Sequence, residues 1–271
     1  MVTIMKKVKY VFVILVYKNT EDIKEYIKNI RKLNINREII IVNSYYDDES
    51  KNIFNSIAKN NNCTFINVEN KGYGYGNNRG IEYANKNFDY DYIIISNPDI
   101  SINEFDETNL EKYNNCVIGP VIKTKNGKNQ NPYWYIENKL AEKLIYLGYK
   151  NLSKVSLYSG IIWNKIIREI SLKKFNFSNK KFQKVFAVHG SFLILPKRVL
   201  NKIGMPYDED MFLFAEEAYL AHLLKKHNID TYITKDISVV HHEDGSMSVS
   251  SINEKDEARK SVIKYYEKIN K

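Results

Sequence analysis

The sequence predicts an α/β fold, a mostly parallel central sheet flanked by helices and interrupted by a basic helical segment. Three observations lead there. Over the first third of the chain, short apolar runs alternate with helical patterns across short links, as βαβ units require. The run Tyr92-Ile93-Ile94-Ile95 is apolar without alternation, as in a strand buried on both faces. Between residues 136 and 185, eleven Lys or Arg face three Glu, which is nearly the whole formal charge of +9.

A chain of 271 residues can bury one large core or two small ones. Its 44% hydrophobic and 27% charged content fits a globular protein in water. No apolar run reaches the ~18–20 residues that span a bilayer. The lysines and apolar run at the start lack a small-residue cleavage site and end in Tyr17-Lys18-Asn19, so they read as a first strand rather than a leader. Cys63 and Cys116 have no metal-binding spacing and suit a reducing compartment. The positive charge calls for an anionic partner such as a nucleotide or a membrane surface. No nucleic-acid module is recognised, which disfavours nucleic acid.

The first strand is expected at residues 8–16. A helix capped by Thr20 follows, with Ile23, Ile27, Ile30 and Leu33 at helical spacing. Residues 38–42 give a second buried strand, closed by the polar turn Asn43-Ser44-Tyr45-Tyr46-Asp47-Asp48. A helix over 49–60 and a third strand over 64–68 continue the alternation, and right-handed crossovers gather successive strand ends at one edge. In the run that follows, Gly72, Gly74 and Gly76 allow a tight turn and close approach to a ligand, with a helix beginning near Gly76. Such a turn is an anion site with Arg79 as a phosphate fork, or simply a structural loop. It has neither the dinucleotide fingerprint nor the lysine of a P-loop.

The strand through Ile95 stops at Ser96-Asn97-Pro98-Asp99, because Pro98 has no N–H and holds Asn97 extended. Asp99 therefore emerges beyond the carboxyl end of a central strand, where open α/β sheets bind ligands. A carboxylate there suits a hard divalent cation, and the cation a diphosphate; a turn Asp capping the next segment is the plainer alternative. A strand at 116–122 and a turn at Gly127 lead to helical patterns at about 138–149 and 154–172. The second carries Val155, Leu157, Ile161, Ile162, Trp163, Ile166, Ile167 and Ile170 beside Lys165, Arg168, Lys173 and Lys174. That mixture suits a helix in a membrane interface, or one packed on the core with its lysines in water.

Regular structure resumes at 185–195, and an acidic, aromatic loop over 207–217 runs into a helix at 218–227. Glu216 and Glu217 at that helix start complement its dipole or supply a general base. A short strand at 231–234, a loop from Val239 to Ser246 bearing His241 and His242, and a terminal helix at 253–269 complete the chain.

Seven of these pieces, in order, resemble the inverting family 2 glycosyltransferases of the GT-A fold, a Rossmann-like architecture, and especially their bacterial rhamnosyltransferase-like branch. They are residues 13–19, 70–81 and 96–99, Gly119-Pro120 with Gly127, His189-Gly190-Ser191-Phe192, residues 212–220, and His241 with Gly245-Ser246. The likeness covers residues 8–135 and 185–250 and leaves the basic segment aside. It implies that Asp99 is the last acid of the metal motif, binding Mg²⁺ or Mn²⁺ with His241. Glu217 stands where the family has its catalytic Asp, one methylene longer. Asn43 stands where an Asp usually binds the nucleotide base; its amide oxygen can still accept the imide N–H of uracil or thymine. Tyr17, Asn19, Gly72, Gly76, Asn78, Arg79 and Asn97 fall in the donor site, and His189, Gly190 and Glu216 on the acceptor side.

The resemblance further implies a domain spanning residues 1–271: a nucleotide-sugar half (1–135), the basic insertion (136–185), an acceptor and catalytic half (186–250) and a C-terminal helix (251–271). The activity expected is transfer of a sugar from a UDP- or dTDP-sugar to a hydroxyl of a glycan or polyprenyl-diphosphate-linked acceptor in bacterial surface polysaccharide (capsule) synthesis. Such an enzyme would be cytoplasmic and held peripherally at the anionic inner face of the membrane, with a second copy of the chain as a further candidate partner. The Glu217 and Asn43 departures keep a non-catalytic, membrane-surface subunit of an assembly complex as the alternative. A nucleotidyltransferase fits less well, since Tyr17-Lys18-Asn19-Thr20 contains no glycine.

Overall fold

The computed structural model describes residues 5–243 and 253–271, so Gly245 and Ser246 of the last motif lie outside the described residues. The described chain runs β1 (Lys6–Val16), α1 (Glu21–Arg31), β2 (Arg37–Ser44), α2 (Asp48–Asn60), β3 (Thr64–Val68), α3 (Tyr73–Asn87), β4 (Phe88–Ser96) and β5 (Ile100–Phe105). It continues with β6 (Val117–Thr124), α4 (Lys139–Lys150), α5 (Lys154–Phe177), β7 (Phe182–Val185), β8 (Phe192–Pro196), α6 (Lys197–Ile203), α7 (Glu216–Lys226), β9 (Thr231–His241) and α8 (Glu254–Ile269).

The strands form one nine-stranded mixed sheet in the order β3-β2-β1-β4-β8-β6-β9-β5, with β7 paired to β9. The side β3-β2-β1-β4 is wholly parallel. Beyond β4 the pairings turn antiparallel, except β6 with β9. Alternate residues of each central strand feed opposite faces. Val11, Val13, Ile93 and Ile95 join the core under α3. Tyr10, Phe12, Ile14 and Ile94 join the core under α1 and α2. Helices on both faces therefore require strands apolar on both faces, as residues 92–95 announced.

Several boundaries differ from the sequence expectation for identifiable reasons. β2 continues through Asn43 and Ser44, because Asn43 stays in register with Val16 on one side and Asn67 on the other. Thr20 makes no side-chain cap. Asn19 does that work instead, its Oδ1 accepting from Glu21 N at 3.1 Å and its Nδ2 donating to Asp22 at 2.6 Å. The helix expected near Gly76 starts at Tyr73, one turn earlier. β5 and α6 were not anticipated, and residues 185–195 divide into the end of β7, a loop and β8. β9 runs from Thr231 to His241, so Val239 and His241 are strand residues rather than loop.

The basic insertion is a helical hairpin. Gly148 packs against the Leu157 backbone and Gly160 against Ala141 and Ile145, so α4 and α5 approach closely. Leu172 and Phe175 anchor the end of α5 in the main core. Its outer face is unusual, because Val155, Ile162, Ile166 and Ile170 are all exposed, Val155 to 80%.

Candidate active site

Asp99 is buried in the turn between β4 and β5. Its carbonyl accepts from His242 N at 2.9 Å, and its register neighbour Ile100 pairs with His241. This places Asp99 Oδ1 3.3 Å from His241 Nε2. The tautomer of His241 follows from its neighbours. The Glu243 carboxylate can only accept, so Gln130 turns its Nε2 toward Glu243 at 2.7 Å and its Oε1 toward His241 Nδ1 at 2.8 Å. Nδ1 must carry the proton, which leaves the Nε2 lone pair aimed at a carboxylate oxygen. A proton on Nε2 or a metal ion would reconcile two such electron-rich atoms, and outer hydrogen bonds of this sort are how ligand imidazoles are oriented.

The pair fits a hard divalent cation. Ligand bonds of about 2.1 Å at right angles put neighbouring donors about 3 Å apart, close to the 3.3 Å seen. Among the described residues no cluster of three His, Cys, Asp or Glu forms a metal cage. That is the expected economy for a cation that takes its remaining ligands from water and substrate phosphates. Asn97 lies beside the pair, with Nδ2 3.5 Å from His241 Nε2 and its backbone N–H donating to Ser191 O.

From there the loop before β8 leads to a second acidic centre. The rings of His189 and His241 are 5.8 Å apart. Ser191 N donates to His189 Nδ1, so the His189 proton sits on Nε2. Burial pushes the His189 pKa down to about 3, with His241 and Arg168 adding to the effect. Gly190 N donates to Glu217 Oε1 at 3.1 Å, and Tyr73 OH donates to Gly190 O at 2.9 Å. Glu217 is held above the ordinary carboxyl range by burial, which outweighs the lowering by its backbone hydrogen bonds. Adjacent Glu216 is pushed up to about 8, first by burial and then by the Glu217 charge, and its buried Oε1 has no partner. The turn that delivers them holds Phe214 and Ala215 at φ 72° and 69°, left-handed values that side chains other than glycine seldom adopt.

The residues expected in the donor site lie at the ends of β1 and β2, at the end of β4 and at the start of α3. Asn43 is fully buried; its Nδ2 donates to Asn67 at 2.6 Å and its Oδ1 is left unpartnered. Tyr17 meets Tyr46 edge to face, and Lys18 Nζ stands 3.7 Å over the Tyr46 ring. Asn19 is committed to α1, as described above. The glycine run is closely packed within the protein. Gly72, at φ +106°, lies where a Cβ would strike the Phe212 backbone, and Gly76 abuts Leu15. Asn78 donates to Tyr207 O at 2.9 Å, while Arg79 pairs with Glu209 and with Glu82. These contacts tie α3 to the loop that carries Glu216 and Glu217.

Gln130, Asn67 and Ser191 were not singled out from sequence. Gln130 reaches His241 across 111 positions, and no local pattern signals such a pair. A cavity of about 610 Å³ opens beside His189, walled in part by Lys128, Gln130, Lys165 and Arg168. Of the two α5 cations, Lys165 is exposed and Arg168 partly buried.

The Glycosyl transferase family 2 model matches residues 11–204. A curated relative, the low-salt glycan biosynthesis hexosyltransferase Agl10 of Haloferax volcanii, is 23% identical over 236 residues, covering 85% of this chain and 66% of its own length. Among solved structures, GalNAc-T7 with UDP, GalNAc and Mn²⁺ aligns with a TM-score of 0.55 at 11% identity, over 87% of this chain and 44% of that one. The mannosyltransferase PcManGT from Pyrobaculum calidifontis, in complex with GDP-Man and Mn²⁺, aligns at 0.51 and 11%, over 86% and 56%. S. aureus TarS aligns at 0.54 and 13%, over 86% and 36%. At these identities the structural likeness is one of GT-A fold, and the chain spans only part of each relative's length.

Proposed function

The chain belongs to glycosyl transferase family 2, and from that premise we propose that it transfers a hexose from a UDP- or dTDP-sugar to an acceptor hydroxyl with inversion at the anomeric carbon. The observation that carries the reading is the paired arrangement of Asp99 with the His241 lone pair and, one loop away, buried Glu217. The donor lies over the β1 and β2 ends. Asn43 Oδ1 accepts the imide N–H of the base, because Asn67 already holds its Nδ2. A dTDP donor also suits the rhamnosyltransferase-like motifs.

Asp99 and His241 would hold Mg²⁺ or Mn²⁺, and Mn²⁺ in two of the three named neighbours supports that class of cation. Such an ion neutralises the charge that develops on a departing diphosphate. Glu217, ionised, takes the proton of the acceptor hydroxyl. The acceptor oxygen then bonds to the anomeric carbon as the bond to the diphosphate oxygen breaks on the opposite face. Glu216, which keeps its proton at neutral pH, spares Glu217 a second buried negative charge. The un-ionised His189 leaves an Nε2–H to donate toward the acceptor side.

The exposed stripe on α5 supports association with an anionic membrane surface, flanked by Lys173 and Lys174. Among the described residues no helix is long and apolar enough to cross a membrane. The acceptor would then be a glycan built on a lipid carrier. The first test is thermal stabilisation of the protein by a panel of UDP-, dTDP- and GDP-sugars with and without Mn²⁺, followed by assay of nucleotide release. Metal-dependent stabilisation by a uracil or thymine donor is expected. Stabilisation by none of them would overturn the assignment and favour a non-catalytic subunit.

A further inference from the structure

We propose that the cavity between the turn after β6 and helix α5 is an acceptor subsite for a phosphate group, held by Arg168, Lys165 and Lys128. The inference rests on the glycosyltransferase reading and names the chemistry of its acceptor.

The orientation of α5 is the first reason. Its outward stripe is apolar; Arg168, partly buried, and Lys165, one turn before it and open to solvent, line the cavity. Arg168 is the cation on this helix that is drawn out of solvent toward the cavity. Lys128 comes to the same cavity from the turn after β6. Charge turned toward a cleft is costly unless something anionic compensates it.

The second reason is that little within the protein supplies that compensation. Two carboxylates share the wall: Glu243 is engaged by Gln130, and Glu169 pairs with one edge of Arg168, which leaves the Arg168 Nε and, among the described residues, the two lysines without a carboxylate. Glu169 accepts from Arg168 Nη2 at 3.1 Å, and Glu243 accepts from Gln130 Nε2 at 2.7 Å. Arg168 Nε is buried without a hydrogen-bond partner. Neither Lys128 nor Lys165 has a carboxylate in ion-pairing range among the described residues. A guanidinium fork and two ammoniums converging on one space match the several oxygens of a phosphate better than a neutral sugar ring.

The third reason is position. Gln130 and His189 both line the cavity, and Gln130 bonds to His241, which faces Asp99. The cavity thus opens beside the reacting end of the site. It lies over the ends of β6 and β9, across β4 and β8 from the β1 and β2 ends where the donor base would sit. A phosphate bound there belongs to the acceptor, and its sugar or lipid portion can lie along His189 toward Glu217.

The test uses the full chain saturated with Mn²⁺ and whichever nucleoside diphosphate stabilises it, so that the donor site is filled. Inorganic phosphate and geranyl phosphate are then titrated by calorimetry against wild type, Arg168→Gln and Lys165→Gln. Binding of geranyl phosphate is expected in wild type, with a loss of about tenfold or more in each variant and nucleotide affinity retained. Tighter binding of geranyl phosphate than of inorganic phosphate would assign the subsite to a lipid-linked acceptor. Equal binding would assign it to the phosphate group alone, and either result supports the subsite. Unchanged phosphate affinity in both variants would overturn it, as would a parallel loss of nucleotide affinity, which would make these cations part of the donor site. Failure of every nucleotide to bind would instead remove the underlying glycosyltransferase reading.

Discussion

At the β4 end of the site a single carboxylate, Asp99, faces the ring nitrogen of His241, whose own neighbours are the side-chain amides of Asn97 and Gln130. At the α7 end two carboxylates sit side by side among Tyr73, Tyr133 and Tyr207, with the Gly190 N–H as the one neighbouring loop donor. Both ends are buried, yet they are prepared for opposite tasks. The first gathers lone pairs and suits a cation. The second starves its carboxylates of partners, which raises their proton affinity and suits proton transfer. One loop, His189-Gly190-Ser191, couples the two, so neither burial nor acidity alone distinguishes a metal ligand from a base. The identity of the neighbours does.

Four experiments would break or sharpen that contrast. The largest effect is expected from Glu217→Gln, which keeps the shape and the Gly190 contact but removes the proton acceptor. Transfer should fall roughly 10²- to 10⁴-fold while nucleotide stabilisation persists. A variant with near-normal turnover would move the base elsewhere, Glu216 being the first place to look.

Next in size is the metal end. Asp99→Asn should abolish the Mn²⁺-dependent part of nucleotide stabilisation, worth about 2.7 kcal/mol when ligand is present at a hundredfold its Kd. Gln130→Ala should weaken the same response by about 10- to 100-fold in metal affinity, because His241 loses the bond that fixes its tautomer. Metal titration by calorimetry reads both. An unaffected Gln130 variant would contradict the orientation argument even if Asp99 holds.

The α7 pair also predicts a pH dependence. Glu216 titrates near 8 in the folded protein against an ordinary 4.5. Between those values the folded state keeps a proton that the unfolded state has released. Its favourable contribution is therefore whole below about pH 4.5 and is lost as pH rises toward 8. The slope is at most about 1.4 kcal/mol per pH unit. Glu216→Gln should flatten the fall in Tm from about pH 5 to about pH 8, and an unchanged profile would show that the pair is not buried as described. Transfer by the wild type should rise with pH, since Glu217, held above the ordinary carboxyl range by burial, must lose its proton to act.

The smallest effect concerns the outer face of α5. Wild type should float with anionic liposomes at low salt and release at high salt, each lysine contributing about 1 kcal/mol. Replacing Ile162, Ile166 and Ile170 by Ser should abolish flotation without altering nucleotide binding. Equal flotation with neutral liposomes would assign the stripe to hydrophobic insertion without help from Lys173 and Lys174.

The sequence by itself determined the parallel half of this molecule. Continuous β-branched runs such as Ile93-Ile94-Ile95, alternating with helical spacing, suffice for strands buried on both faces, and Pro98 ends β4 beside Asp99. These are local facts, set by sterics and by the 2.0 and 3.6 periods. The tertiary structure decided what local pattern could not encode. It paired Gln130 with His241, packed the glycine run against Phe212 and Leu15, and bound Arg79 to Glu209. It also drew Arg168 partly out of solvent beside His189. Composition made α5 rich in both charge and isoleucine, but which face meets water depends on where Leu172, Phe175 and Gly160 are anchored. Side chains a hundred residues apart converge only through the register of β9 against β5 and β6, and burial in that shared space is what changes their chemistry.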